Sequence, residues 1–165
     1  MTTKLRLAAM AVSILAAVTA VPASSEERTC RGSIGAATVD NLRVPPRATC
    51  TLNRTRVKGT IKVQRGATLR ASRIRVVGNV QAEGGRHVRV VLSKIGGSVQ
   101  IVQGHSSTLT RNAVNGDVQY FENRGAIRVS RNRIDGNLQC KENRRRPTGG
   151  RNRVEGNKED QCARL

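Results

Sequence analysis

Residues 112–162 read NAVNGDVQYFENRGAIRVSRNRIDGNLQCKENRRRPTGGRNRVEGNKEDQC, and one pattern recurs in them: Val114-Asn115-Gly116-Asp117, Ile134-Asp135-Gly136-Asn137 and Val154-Glu155-Gly156-Asn157. Followed backwards, its glycine continues as Gly97, Gly78 and Gly59, so six anchors are spaced 19, 19, 19, 20 and 20 residues apart. Two residues before the anchors stand Val57, Val76, Ile95, Val114, Ile134 and Val154. Two after them stand Ile61, Val80, Val99, Val118 and Leu138, until Lys158 breaks the column. A third apolar column, seven before the anchor, holds Leu52, Ala71, Val90, Leu109 and Val129.

Apolar and polar columns alternate with a period of two, which marks strands with one buried face, and no window keeps a helical period. A unit of 19–20 residues with about three short strands is one coil of a parallel β-helix, whose equivalent residues stack about 4.8 Å apart. The expected fold is therefore an all-β, single-domain parallel β-helix solenoid. A left-handed form would keep strict hexads, and the drifting spacing favours the right-handed one. With Tyr120 and Phe121 as the only aromatic residues, small β-branched side chains must fill the interior.

The polar columns fit this stacking. Asn112, Asn132 and Asn152, four before the anchor, have the inward parity and form an expected interior amide ladder, which meets the demand that buried polar groups be bonded. Gln81, Gln100, Gln119 and Gln139 form a second ladder facing outward. Cys30 and Cys50 are 20 residues apart and Cys140 and Cys162 are 22 apart, about one coil in each case. Stacked coils bring such pairs within disulfide reach, so these two bonds are expected, each clipping a terminal coil. No CxxC spacing supports a zinc site instead.

Residues 1–23 read as an export signal. Lys4 and Arg6 precede an apolar run from Leu7 to Val21, and Val21-Pro22-Ala23 offers small-residue cleavage. The run is about fifteen residues, short of the roughly 20 that cross a bilayer, so no transmembrane segment is expected after cleavage. The expected division is a signal peptide at 1–23, an N-terminal cap with the first coils at 24–58, β-helix repeats at 59–157 and a C-terminal cap at 158–165. Without Lys4 and Arg6, 28 basic residues face 11 acidic ones, a net charge of +17. Such a chain attracts polyanions.

The ending GNLQCKEN to GNKEDQC (136–143 and 156–162), the opening TVDNLRVP (38–45) and the repeated GNVQ resemble a group of small secreted actinobacterial β-helix repeat proteins. The resemblance covers the chain beyond the signal and implies the fold and export to an extracellular location. That group carries no assigned activity, so the resemblance implies no catalytic residues.

Two basic columns are the sharpest functional feature. Five before the anchor come Arg54, Arg73, Leu92, Arg111, Arg131 and Arg151; three before it come Arg56, Arg75, Lys94, Ala113, Arg133 and Arg153. They share an outward parity and are expected to form two parallel rows on one face. Arg70, Arg89 and Arg128, eight before the anchor, extend the charge onto the next face. Guanidinium forks suit carboxylate and phosphate, so the expected partner is an anionic cell-envelope or extracellular polymer. The competing reading is a solvated face that keeps the protein soluble. Nucleic acid fits less well: without aromatic platforms binding would be unselective.

A calcium-dependent polysaccharide lyase is the enzymatic alternative, with Asp117, Asp135 and Glu155 as an acidic patch, although pairing of these groups with the basic rows is the simpler role. End-to-end self-assembly is a further alternative. His87 and His105 are flanked by no serine or cysteine nucleophile in triad spacing, and no metal or cofactor motif is present, so neither a catalytic residue nor a cofactor is expected.

Overall fold

A computed structural model describes residues 26–165, and the export signal expected at 1–23 lies outside the described residues. The chain winds through three parallel sheets in turn. The first sheet stacks Glu27–Thr29, Asn41–Val44, Ile61–Val63, Val80–Glu83, Val99–Val102, Val118–Phe121, Leu138–Lys141 and Lys158–Asp160. The second stacks Gly32–Ile34, Thr49–Asn53, Thr68–Ser72, His87–Val91, Ser106–Thr110, Ile127–Ser130 and Thr148–Gly150. The third is built of two-residue strands: Thr38–Val39, Arg56–Val57, Arg75–Val76, Lys94–Ile95, Ala113–Val114, Arg133–Ile134 and Arg153–Val154. The described residues form one domain, a parallel β-solenoid of about seven turns without a helix.

Register follows the columns. Leu42, Ile61, Val80, Val99, Val118 and Leu138 pair in succession along the first sheet. All six are buried in one core with the valine column of the third sheet and the Leu52-to-Val129 column of the second. Each coil buries side chains only against the coils above and below, so a small β-branched residue fills its layer without reaching further. Tyr120 is the exception in size. Fully buried, it sets its hydroxyl 3.3 Å from Ser107 Oγ, and burial pushes the phenol well above its ordinary range.

The anchor glycine is explained by close approach. At the corner between the third and first sheets the backbones nearly touch: Gly78 N donates to Gly59 O at 3.0 Å and Gly116 N to Gly97 O at 3.1 Å. A Cβ on Gly136 would sit 2.8 Å from the carbonyl carbon of Gly116 and would run into Asp117 Oδ1. No side chain fits there.

The interior asparagine ladder is present. Asn112 Nδ2 donates to Asn132 Oδ1 at 3.1 Å and Asn132 Nδ2 to Asn152 Oδ1 at 3.0 Å, and each oxygen also accepts the backbone N–H of the coil above. The glutamine ladder is present on the outer face of the first sheet. Gln81, Gln100, Gln119 and Gln139 each donate to the next residue in the column, and the last donates to the carboxylate of Glu159 at 2.9 Å.

Both expected disulfides are formed, with Cα separations of 5.6 Å for Cys30–Cys50 and 5.3 Å for Cys140–Cys162. All four cysteines are buried, so each bond closes one end of the core. The first sheet continues for one strand beyond its last apolar layer: Lys158 pairs with Leu138 although its side chain is exposed. The chain then turns to Cys162. Replacing Cys140 and Cys162 together by alanine is expected to lower the unfolding free energy by about 3 kcal/mol, the value for closing a loop of this length. Denaturant melts of the two forms measure it.

Candidate functional site

Sheet geometry decides where the basic columns lie. The chain leaves the second sheet through a sharp corner, and the first column occupies that corner. Arg54, Arg73, Leu92, Arg111, Arg131 and Arg151 all have left-handed backbones, with φ between 53° and 58°. The second column, Arg56, Arg75, Lys94, Ala113, Arg133 and Arg153, starts the strands of the third sheet. Between the two columns Thr55, Ile74, Ser93, Asn112, Asn132 and Asn152 turn inward and are buried. Sequence parity places both rows on one outer face; in the structure the first row follows the corner and the second starts the strands of the third sheet just beyond it.

All ten predicted basic residues are exposed. Arg133 differs from the others, since its Nε lies 3.1 Å from Asp135 Oδ1 and its Nη2 lies 2.8 Å from Glu155 Oε1. It is thereby withdrawn from the free set. None of the other nine forms an ion pair among the described residues. On the second sheet Arg70 stands beside Arg89, while Arg128 is separated from Arg89 by Thr108. His87, two residues before Arg89 on the same strand, has Nδ1 2.8 Å from Ser106 Oγ, and partial burial, then Arg70 and Arg89, hold its pKa below the ordinary histidine value.

The acidic residues do not assemble. Asp117 belongs to a ladder at the glycine corner, where its Oδ1 accepts the backbone N–H of Asn137 at 2.7 Å, in line with Asn79, Ser98 and Asn137. Asp135 and Glu155 are both turned to Arg133. Among the described residues no group of three His, Cys, Asp or Glu side chains is placed to hold a metal ion.

A further basic row was hidden in the sequence. Arg86, His105, Arg124 and Arg144 lie eight residues after the anchor glycines and are all exposed, at the start of the run into the second sheet. Their backbones follow the stack, Arg86 N donating to Ala67 O at 2.8 Å and Arg124 N to Gly104 O at 2.9 Å. With Arg47 and Arg65 nearby, they line hollows at the corner between the first and second sheets. The second sheet is thus bordered by basic rows along both edges, and its strands contain no acidic residue. No helix among the described residues is long and apolar enough to cross a membrane. No protein-family model, curated protein or solved structure matches the chain.

Proposed function

We propose that the protein is an exported binding or scaffold module of the cell envelope that holds anionic polymers along its arginine rows. The observation that carries this reading is the residue type at the left-handed corner. Left-handed backbone costs an ordinary L-residue about 1–2 kcal/mol, and glycine or asparagine avoids most of that cost. At the equivalent left-handed position between the first and second sheets the residue varies, as Arg47, Gly66, Gly84, Gln103, Glu122 and Glu142, whereas the corner leading to the third sheet repeats arginine at Arg54, Arg73, Arg111, Arg131 and Arg151, broken by Leu92. Arginine has no backbone advantage there, which supports a role for its side chain. Like charges repeated about 4.8 Å apart repel, and a polyanion lying along the solenoid axis relieves that repulsion. Two disulfides support a location outside the cytoplasm.

The test replaces Arg111, Arg131 and Arg151 by glutamine and measures binding to a teichoic-acid-like or sulfated polymer. The native protein should lose affinity at least 10-fold, roughly, between about 50 and about 200 mM salt, and the triple variant should bind more weakly with a shallower salt slope. A control replacing Lys141, Lys158 and Arg164 by glutamine removes the same charge from the first sheet and the C-terminal turn, and should bind nearly as the native protein does. Equal losses in the two variants, or binding indifferent to salt, would make the rows a solvated face.

A further inference from the structure

Between the anchor glycines the repeat lengthens once, from 19 to 20 residues, and register locates the addition. Val102 of the first sheet pairs with Phe121, 19 residues on, whereas Ser107 of the second sheet pairs with Ile127, 20 residues on. The extra residue therefore lies in the corner between the two sheets. Arg124 N donates to Gly104 O as His105 N does to Gly85 O, both 20 residues back, so the addition falls at Gly125-Ala126. Gly125 is buried, and a Cβ on it would run into the backbone carbonyl of His105. Beside these two small residues the widened corner holds a hollow bordered by Arg124, Arg144 and Arg145 together with His105 and Ser106.

The side chains around this hollow are almost all donors. A guanidinium has no acceptor, and an imidazole can donate an N–H in either charge state. Ser106 Oγ is engaged elsewhere, with His87 Nδ1 at 2.8 Å and the carbonyl of Arg86 at 3.3 Å. Neither a carboxylate nor a side-chain amide lines the space. The acidic residues nearest in sequence, Glu122 and Glu142, are turned to Gln103 at 2.9 Å and to Lys141 at 3.9 Å. Arg124, Arg144 and Arg145 are exposed and form no ion pair among the described residues. Three cations thus border one small space, two on successive coils and the third adjacent in sequence.

We infer that the widened corner is a binding site for a phosphate monoester group, held by Arg124, Arg144 and Arg145 with His105 as a further donor. This goes beyond the polymer reading, because the site takes a single group rather than a length of chain and none of its residues belongs to the two rows. A phosphate monoester carries a charge of about −2 and three terminal oxygens, all acceptors, so each guanidinium meets an oxygen. A carboxylate has two oxygens and a single charge, which one guanidinium fork satisfies, and two cations would stay unrelieved. A sulfate monoester has the shape of the phosphate but only the single charge.

Titration of the disulfide-bonded protein with phenyl phosphate, phenyl sulfate and benzoate, followed by NMR at low salt, tests the inference. At about pH 8 the phosphate is doubly charged, since its second pKa is near 6. Phenyl phosphate should bind once per molecule, shift the backbone amide signals of Gly125, Ala126, Arg144 and Arg145, and bind roughly 10-fold more tightly than either competitor. Arg145→Gln, at an exposed position, should keep the fold and weaken phenyl phosphate roughly 3- to 10-fold, the range for one lost charged hydrogen bond on the surface. The Arg111/Arg131/Arg151 variant should bind it as the native protein does. The inference falls if phenyl sulfate or benzoate binds as tightly as phenyl phosphate, if Arg145→Gln binds at native affinity, or if the shifts spread along both arginine rows. Failure here leaves the polymer reading untouched, because that reading is decided by long polymers and by the row variant alone.

Discussion

Val118→Asp is expected to abolish folding, whereas Gln119→Asp, one residue further along the same strand, leaves a folded protein. Val118 is fully buried and stacks between Val99 and Leu138 in the middle of the first sheet. A carboxylate there has apolar neighbours above and below, and an unpaired buried charge costs several kcal/mol at the least. That is a large part of the roughly 5–15 kcal/mol by which a domain of this size is stable. Gln119 faces outward in the amide ladder, accepting from Gln100 at 3.0 Å and donating to Gln139 at 2.8 Å. An aspartate there loses the donated bond, worth about 1 kcal/mol. Circular dichroism and thermal melts separate the two, and equal damage would mean that the inward and outward assignment is wrong.

The second large effect belongs to Asn132→Leu, a change of similar volume. Asn132 Oδ1 accepts from the backbone N–H and the side-chain amide of Asn112, and its Nδ2 donates to Leu109 O and to Asn152 Oδ1. Leucine abandons these partners in the interior, where each unsatisfied group costs about 1–3 kcal/mol. The melting temperature should fall by at least about 10 °C. Asn115→Leu, at an exposed position in the neighbouring corner, should change stability by no more than about 0.5 kcal/mol. A small effect at Asn132 would mean that water satisfies its partners and that the ladder merely keeps register.

What the sequence revealed depends on how each feature repeats. The glycine, valine and asparagine columns recur at a fixed distance from one anchor, and the stack turns that regularity directly into sheets and ladders. A further interior ladder escaped notice. Asn123 Nδ2 donates to Asn143 Oδ1 and Asn143 Nδ2 to Gln161 Oε1, but the steps are 20 and 18 residues and the last member is a glutamine. The row of Arg86, His105, Arg124 and Arg144 keeps its spacing, yet a histidine interrupts it and it lies far from the conspicuous columns. Left-handed geometry at Arg54 and its equivalents was hidden for another reason: arginine does not signal a positive φ, and only the stacked neighbours impose it. The pairing of Asp135 and Glu155 with the basic rows, the simpler role read from the sequence, is realised on Arg133, while Asp117 joins the corner ladder instead.

The two disulfides also bear on how long the molecule survives. A stack in which each turn touches only its neighbours ordinarily peels from its termini, where a departing turn breaks one interface rather than two. Here Cys30–Cys50 and Cys140–Cys162 fasten both terminal turns, so opening must start in the interior and break two interfaces at once. The bonds therefore raise the barrier to unfolding as well as the free-energy gap, and persistence becomes a matter of rate. In the exported location proposed above, where an opened chain would meet proteases and no chaperone, lifetime would be set by how rarely that first breach occurs.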